Sequence, residues 1–127
     1  MYILDTHTLL WFLENSDELP ATTRETIENN SDISVSIVSL WEIAIKMNIG
    51  KLSISFPFEE IFDEIHTLQI GILPITQEDL SNYKNLPLVH RDPFDRMIIA
   101  QAISRNQSVI SKDSQFDGYS VSRLWDS

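Results

Sequence analysis

Residues 2–13 read YILDTHTLLWFL and indicate the fold class of the chain. The apolar run at 2–4 predicts a short strand, which stops at Asp5. Thr6 is placed to cap the helix that follows, whose apolar positions include Leu9 and Leu10. A strand that passes through an acidic residue directly into a helix is the first unit of an alternating pattern, and such alternation is typical of α/β folds.

The rest of the chain repeats this alternation. Further strands are predicted at 33–35, 70–73, 109–111 and, as a fifth, 119–121. Helices are predicted at 20–30, from Ser36 or Ser39 to about 48, from 57 to about 68, from 76 to about 84 and from 92 to about 105. Such alternation requires crossover connections and gives a mostly parallel sheet that helices cover on both faces. We therefore expect one three-layer α/β domain over residues 1–127, with a central sheet of four to five short strands.

The composition excludes several classes of protein. The chain has 127 residues, of which 43% are hydrophobic, so disorder is excluded as its main state. It has no cysteine, which excludes disulfides, thiolate nucleophiles and zinc–thiolate sites. No apolar run is long enough to span a membrane and the N-terminus has no signal-peptide pattern, so we expect a cytoplasmic protein without a membrane partner.

The net charge of −10 argues, at first reading, against a nucleic-acid partner, since phosphate binding usually needs a basic surface. Carboxylates that hold divalent cations, however, present positive charge locally while the overall charge stays negative. The location of the acids therefore decides whether a nucleic acid can be a partner.

Acidic residues follow two of the predicted strands. Asp5 ends the first strand and Asp113 lies two residues beyond the fourth. Ligands of open parallel sheets bind beyond the carboxyl ends of the strands, so both acids should face one crevice. Asp92 and Asp95 occupy the first turn of a predicted helix. Glu42 lies in a helix that is apolar on nearly all sides, where a carboxylate is costly unless it is paired or bound to a metal.

Each acid also has a purely structural interpretation. Asp5 and Asp92 can be helix N-caps, Asp95 can simply favour the positive end of its helix, and Asp113 can be an ordinary turn residue. Glu42 can form an i,i+4 pair with Lys46. Taken together, however, the strand ends and one helix supply only oxygen ligands, which favour Mg²⁺ or Mn²⁺ over zinc. Such ions activate water and polarise phosphoryl oxygens, so the pattern predicts hydrolysis of a phosphodiester.

Other chemical groups carry less information. His7 and His90 are each expected to be hydrogen-bonded structural residues, although either could contact a phosphate, and His66 is assigned no role. Ser111 is expected to be a cap or a hydrogen-bond donor behind the acids. Only three glycines are present, so Walker-type and dinucleotide-binding loops are excluded.

Four stretches of sequence resemble one known family. They are LDTHTLLW at 4–11, SLWEIAIK at 39–46 followed by GKL at 50–52, HRDPFDR at 90–96 with AQA at 100–102, and SKD at 111–113. In this order and spacing the chain resembles the PIN-domain ribonucleases, specifically the VapC-like toxins of type II toxin–antitoxin pairs. The resemblance implies a single PIN-like domain over residues 1–127, a homodimer, and a small antitoxin partner whose tail covers the active-site groove.

The resemblance also implies a site that binds Mg²⁺ or Mn²⁺ and cleaves RNA. Carried over position by position, its acidic quartet is Asp5, Glu42, Asp95 and Asp113. The resemblance favours Asp95 over Asp92 as the principal ligand from its helix, and Asp117 is the alternative to Asp113 as the fourth acid. Thr6, Asp92 and Ser111 are expected to support the acids through hydrogen bonds or caps.

RNA that approaches an acidic protein needs a local basic rim. The candidates for this rim are Lys46, Lys51, Arg91, Arg96 and Lys112. The alternative is that Arg91 and Arg96 only pair with neighbouring acids.

A symmetric interface is predicted to include large apolar groups that are numerous for so small a domain. These groups are Trp11, Phe12, Leu13 and Trp125. The alternative is that all four fill the core.

Two other functions compete with a nuclease. A receiver-like phosphoacceptor domain also clusters aspartates on an α/β sheet, but it needs an acidic pair after the first strand and a lone aspartate after the middle strand. Here Asp5 alone follows the first strand, and Pro74 follows the middle one. A catalytically inactive PIN fold that only binds protein or RNA is the second alternative, and the complete acidic quartet argues against it.

Overall fold

Strands and helices alternate along the computed structural model, which describes residues 1–126. In chain order the elements are β1 (Tyr2–Leu4), α1 (Thr6–Leu13), α2 (Ala21–Asn29), β2 (Ile33–Ser36), α3 (Ile37–Asn48), α4 (Phe58–Thr67), β3 (Gly71–Leu73), α5 (Gln77–Lys84), α6 (Pro93–Arg105), β4 (Ser108–Ile110) and β5 (Arg123–Leu124). A 3-10 turn, Ser114–Gly118, lies between β4 and β5. Within residues 1–126, no helix is long and apolar enough to cross a membrane. The predicted α/β class is confirmed.

The five strands form one parallel sheet in the order β3-β2-β1-β4-β5. The first strand of the chain is therefore the central one, and Leu4 pairs with Val35 of β2 on one side and with Ile110 of β4 on the other. Because the strands are parallel, their carboxyl ends meet at one edge of the sheet. Asp5 and Ser111 directly follow β1 and β4 at this edge.

Helices cover both faces of the sheet. Successive residues of a strand point to opposite faces, so each strand contributes to two separate buried clusters. Leu4 and Ile110 belong to one buried cluster, which residues of α1, α2 and α4 complete. Ile3 and Val109 belong to a second cluster, which is built largely from α6. The predicted three layers are therefore present.

Two helix starts are fixed by hydrogen bonds that backbone N–H groups of the first turn donate to the side chain of the preceding residue. Asp5 caps α1, since its Oδ1 accepts from the backbone N–H of Thr8 at 2.9 Å. The prediction of Thr6 as the cap is wrong, because Thr6 already lies in the first turn of the helix. Of the two predicted caps for α3, Ser36 is the one observed, with its Oγ accepting from the N–H of Val38 at 3.1 Å.

The last strand lies later in the chain than predicted, at Arg123–Leu124 instead of 119–121. Tyr119 is buried, and its hydroxyl accepts hydrogen bonds from the backbone N–H groups of Val89 (3.2 Å) and His90 (2.7 Å). Its side chain is therefore tied to the loop before α6, and its backbone N–H donates to the carbonyl oxygen of Phe116 at 3.2 Å instead of to a strand. The prediction of a strand at 119–121 is wrong for this reason.

The large apolar residues predicted at an interface are partly buried. Trp11, Phe12, Leu13 and Trp125 all pack against the first core cluster, and the rings of Trp11 and Trp125 lie 5.9 Å apart. This packing favours the alternative, in which the four residues complete the core.

Candidate active site

Asp5 anchors the candidate site at the end of β1. The residue is 4% exposed, and both carboxyl oxygens accept hydrogen bonds: Oδ1 from the N–H of Thr8 (2.9 Å) and Oδ2 from the hydroxyl of Ser111 (2.6 Å). Burial raises the pKa of Asp5, and the hydrogen bonds from Ser111 and Thr8 oppose that rise. The carboxylate is thus held in a fixed orientation at the carboxyl edge of the sheet.

Glu42 is buried in α3, although it belongs to a helix with an exposed face. Thr6 Oγ1 donates to Glu42 Oε1 at 2.8 Å and lies 2.9 Å from Ser39 Oγ. Lys46 Nζ donates to the second oxygen, Oε2, at 2.8 Å. The i,i+4 pair considered from sequence is therefore present, but its carboxylate is 4% exposed and the pair joins a buried acid to a half-buried lysine.

Asp92 and Asp95 lie in different environments at the start of α6. Asp92 is the N-cap, as predicted, and its Oδ1 accepts from the N–H groups of Phe94 (2.8 Å) and Asp95 (3.3 Å). Pro93 follows it at the start of the helix, where a missing N–H costs nothing. The Asp95 side chain does not cap the helix, and it is 17% exposed.

The pKa of Asp95 reflects its burial and the negative charge of the other acids in the group. Burial raises this pKa first, the negative charges of Asp92, Asp5, Glu42 and Asp113 raise it further, and together they bring it to about 8. The five acids come from four separate segments of the chain. Negative charge concentrated in this way is what a bound divalent cation would compensate.

Asp113 completes the group beyond β4. Its backbone N–H donates to Ser111 Oγ at 3.0 Å, and its Oδ2 lies 2.8 Å from His90 Nε2. The alternative fourth acid, Asp117, is exposed and forms two hydrogen bonds with the guanidinium of Arg123, each 3.0 Å long. The hydrogen bond from Arg123 lowers the pKa of Asp117. The geometry thus favours Asp113, since Asp117 is already paired outside the group.

His90 lies against the acids, although the sequence predicts a hydrogen-bonded structural residue there and leaves contact with a phosphate as the alternative. Its Nε2 lies 2.8 Å from Asp113 Oδ2 and 3.0 Å from Asp95 Oδ2, and its side chain is 10% exposed. These three residues each offer one ligand-type atom, all within 4.8 Å of one another. The sequence signal was its position two residues before Asp92, but nothing local in the sequence shows that the loop turns its ring toward the acids.

The bases predicted to form a rim differ in their exposure and pairing. Lys51, Arg91 and Lys112 are exposed, and Lys112 Nζ lies 3.6 Å from a carboxyl oxygen of Glu18. Lys46 is already paired with the buried Glu42.

Arg96 does not belong to this rim, and its prediction as a substrate-binding residue is wrong. It is 8% exposed, and its Nη1 donates to the carbonyl oxygens of Pro87 (3.0 Å) and His90 (3.2 Å) and to the hydroxyl of Tyr119 (3.3 Å). Its guanidinium also stacks over the ring of Tyr83 at 5.1 Å. Arg96 therefore holds the loop that precedes α6 through buried hydrogen bonds.

The donor set suits a hard divalent cation. Every acid in the group offers carboxylate oxygen, the ligand that Mg²⁺ and Mn²⁺ prefer. Hydroxyl groups fix one oxygen of Asp5 and one of Glu42, while Asp95 and Asp113 both lie against His90. The arrangement can therefore hold a metal ion in a pre-oriented acidic cluster at the edge of the sheet.

Comparisons with known proteins agree with this architecture. A family model described as the PIN domain matches residues 2–121. Ribonuclease VapC22 from Mycobacterium tuberculosis (strain ATCC 25618 / H37Rv) is 24% identical to the chain over 114 residues, which cover 87% of this chain and 85% of that protein.

Solved structures share the fold. VapBC2 from Rickettsia felis, bound to a DNA fragment from its promoter, aligns with a TM-score of 0.74 and 17% identity over 98% of each chain. A toxin–antitoxin complex from Klebsiella pneumoniae aligns with a TM-score of 0.67 and 13% identity, covering 98% of this chain and 96% of that one. At these identities the likeness is one of fold.

Proposed function

The chain belongs to the PIN domain family, and on that premise we propose that it is a divalent-metal-dependent endoribonuclease, the toxin of a type II toxin–antitoxin pair. The similar protein VapC22 is a ribonuclease, and a protein of similar fold occurs in a toxin–antitoxin complex. A cognate antitoxin is therefore the partner that we propose, and RNA in the cytoplasm is the substrate.

One observation carries the proposal: carboxylates from four distant segments converge beyond the carboxyl ends of the parallel strands. Asp5, Glu42, Asp95 and Asp113 are the residues that would hold Mg²⁺ or Mn²⁺ there. The bound ion would polarise a phosphoryl oxygen and generate hydroxide from water. The receiver-like alternative is not supported, since the family is that of the PIN domain.

The chain's own residues prepare this site before any substrate arrives. Ser111 donates to Asp5 and accepts from the N–H of Asp113, so one hydroxyl aligns two of the acids. Thr6 donates to Glu42 and ties α1 to α3. Carboxylates that are already oriented do not have to lose conformational freedom when a metal ion and a substrate bind.

Exposed basic residues, two of them adjacent in sequence to the acids, would guide the RNA backbone. Lys112 immediately precedes Asp113, Arg91 immediately precedes Asp92, and Lys51 follows the end of α3. Contacts of this kind neutralise phosphates without reading the base sequence, so they supply affinity that depends on salt.

We also propose that the protein is a homodimer that pairs through α3. Ile37, Trp41 and Ile45 recur every four residues on this helix and are 37%, 59% and 36% exposed. The stripe is continued by the ring of Phe94, which contacts Trp41 edge-on at 5.3 Å. An exposed apolar stripe of this kind is typical of a protein interface.

A matched pair of substitutions tests the catalytic proposal. Asp113→Asn should abolish cleavage of RNA in the presence of Mg²⁺ or Mn²⁺, whereas Asp117→Asn should leave it close to wild type. Excess EDTA should stop the wild-type reaction, and added metal should restore it. Cleavage that proceeds undiminished in EDTA would refute the metal mechanism, and a wild-type protein that binds RNA without cleaving it would favour the inactive PIN-fold alternative.

A further inference from the structure

The tautomer of His90 is fixed by its surroundings. The backbone N–H of Asp92 donates to His90 Nδ1 at 3.2 Å. A backbone N–H is always a donor, so Nδ1 must present its lone pair and carry no hydrogen. In the neutral ring the proton then lies on Nε2, which makes Nε2 the donor.

This donor faces two acids at once. His90 Nε2 lies 2.8 Å from Asp113 Oδ2 and 3.0 Å from Asp95 Oδ2, both within hydrogen-bond distance. The ring also meets the buried ring of Phe116 edge-on, with the centroids 6.0 Å apart. The imidazole therefore has little freedom to turn away from the two carboxylates.

The backbone on both sides of the ring is anchored as well. The hydroxyl of Tyr119 accepts from the N–H of His90 at 2.7 Å, and Arg96 Nη1 donates to the carbonyl oxygen of His90 at 3.2 Å. Gly118 keeps this packing close, because a Cβ at that position would lie 2.6 Å from a methyl carbon of Val89. Two buried hydrogen bonds and the close packing of Gly118 against Val89 thus hold this loop so that its single histidine reaches the acids.

We propose that His90 is a positioning residue, whose Nε2–H donates to both Asp95 and Asp113 and fixes the direction of their metal-binding oxygens. The inference rests on the proposed metal-dependent nuclease function. It also assigns His90 as a donor to the acids and excludes it as a metal ligand. Coordination through Nε2 would move the proton to Nδ1, where it would face the N–H of Asp92 in a donor–donor contact.

The spectroscopic test uses the intact protein. In ¹⁵N NMR spectra of the metal-free wild type, the His90 ring should show a protonated Nε2 and an unprotonated Nδ1. In the Mn²⁺-loaded protein, electron spin-echo modulation should show no coupling from a directly bound nitrogen. His7→Asn and His66→Asn, two exposed histidines, assign the remaining ring signals. A proton on Nδ1, or a nitrogen bound to Mn²⁺, would overturn the proposal.

The kinetic test compares two substitutions of His90. His90→Ala should lower kcat roughly tenfold to a hundredfold while KM for RNA stays within about twofold, as expected when an outer partner of a metal ligand is removed. His90→Gln retains an N–H donor near the position of Nε2 and should recover part of this loss. His66→Gln is the matched control and should not change kcat.

Two results would contradict the positioning role: a kcat of His90→Ala equal to that of wild type, or no recovery in a folded His90→Gln. If His90→Ala does not fold, the NMR and Mn²⁺ measurements on the wild type still decide the assignment. A wild type that cleaves no RNA at all would refute the proposed function, and the tautomer and the Mn²⁺ ligands would still be measured independently.

Discussion

Asp95→Asn should stabilise the metal-free protein while it abolishes cleavage. The site holds several acids that repel one another, and the pKa of Asp95 is raised to about 8 from its ordinary value of 3.8, by burial first and then by its acidic neighbours. Between these two values the native state binds the proton that the unfolded state has lost. Stability of the wild type therefore falls as the pH rises through this window.

The magnitude follows from the size of the pKa shift. One pKa unit corresponds to about 1.4 kcal/mol. At pH 7 the free energy of unfolding of the metal-free wild type is therefore about 4 kcal/mol lower than it is near pH 4. Asparagine has nearly the same shape and no charge, so the variant should regain that amount. For a chain of 127 residues this corresponds to a rise in Tm of roughly 15 °C.

Thermal unfolding in EDTA from pH 4 to pH 8 measures this effect. The two proteins should be equally stable near pH 4, and the gap should widen by about 1.4 kcal/mol per pH unit up to pH 8. Mg²⁺ should raise the Tm of the wild type more than that of the variant, since a ligand of the folded state stabilises it. Asp63→Asn, an exposed substitution on α4, is the control. A gap that does not change with pH would refute the reasoning.

Three further outcomes follow from other parts of the structure. Arg91→Gln and Lys112→Gln should each weaken RNA binding for all sequences and reduce the slope of log K against log salt by about 1, as measured by fluorescence titration at several salt concentrations. Burial alone would raise the pKa of the fully buried Asp79, but its hydrogen bonds to Arg105 bring it below the ordinary value. Arg105→Met should therefore cost about 3 kcal/mol in urea unfolding at pH 7, and the cost should shrink as the pH falls through the range in which carboxylates titrate. Trp41→Lys should convert a dimer into a monomer in light scattering at micromolar concentration, whereas an unchanged mass would refute the interface on α3.

The sheet and the acids after β1 and β4 could be predicted because their signals are local. An apolar run that ends at Asp5 is visible in a few residues, and parallel strands bring their carboxyl ends to one edge. The cap at Asp92 followed by a proline is equally local. Glu42 was singled out because a carboxylate among apolar neighbours needs a partner, and the structure gives it Thr6 and Lys46.

The roles of Arg96 and His90 could not be predicted, because they depend on contacts between distant residues. Arg96 is an exposed-looking base next to an acid in the sequence, yet its guanidinium is buried against Tyr119 and the loop carbonyls. His90 meets Asp113, which is 23 residues away. The position of the last strand, Arg123–Leu124, also depends on contacts between distant residues. The hydroxyl of Tyr119 is bound to the loop before α6, and the strand begins only after this residue.

The order of the strands in the sheet has a consequence for how the protein is made. Of the five strands described, β1 is synthesised first and is the centre of the sheet, and its neighbour β4 is synthesised about a hundred residues later. Until β4 emerges, Asp5 lacks its hydrogen bond from Ser111, and Asp113 has not yet been made. A nascent chain that waits for such a distant pairing folds late. The acidic cluster is therefore assembled only after Ser111 and Asp113 have been synthesised, long after Asp5 and Glu42.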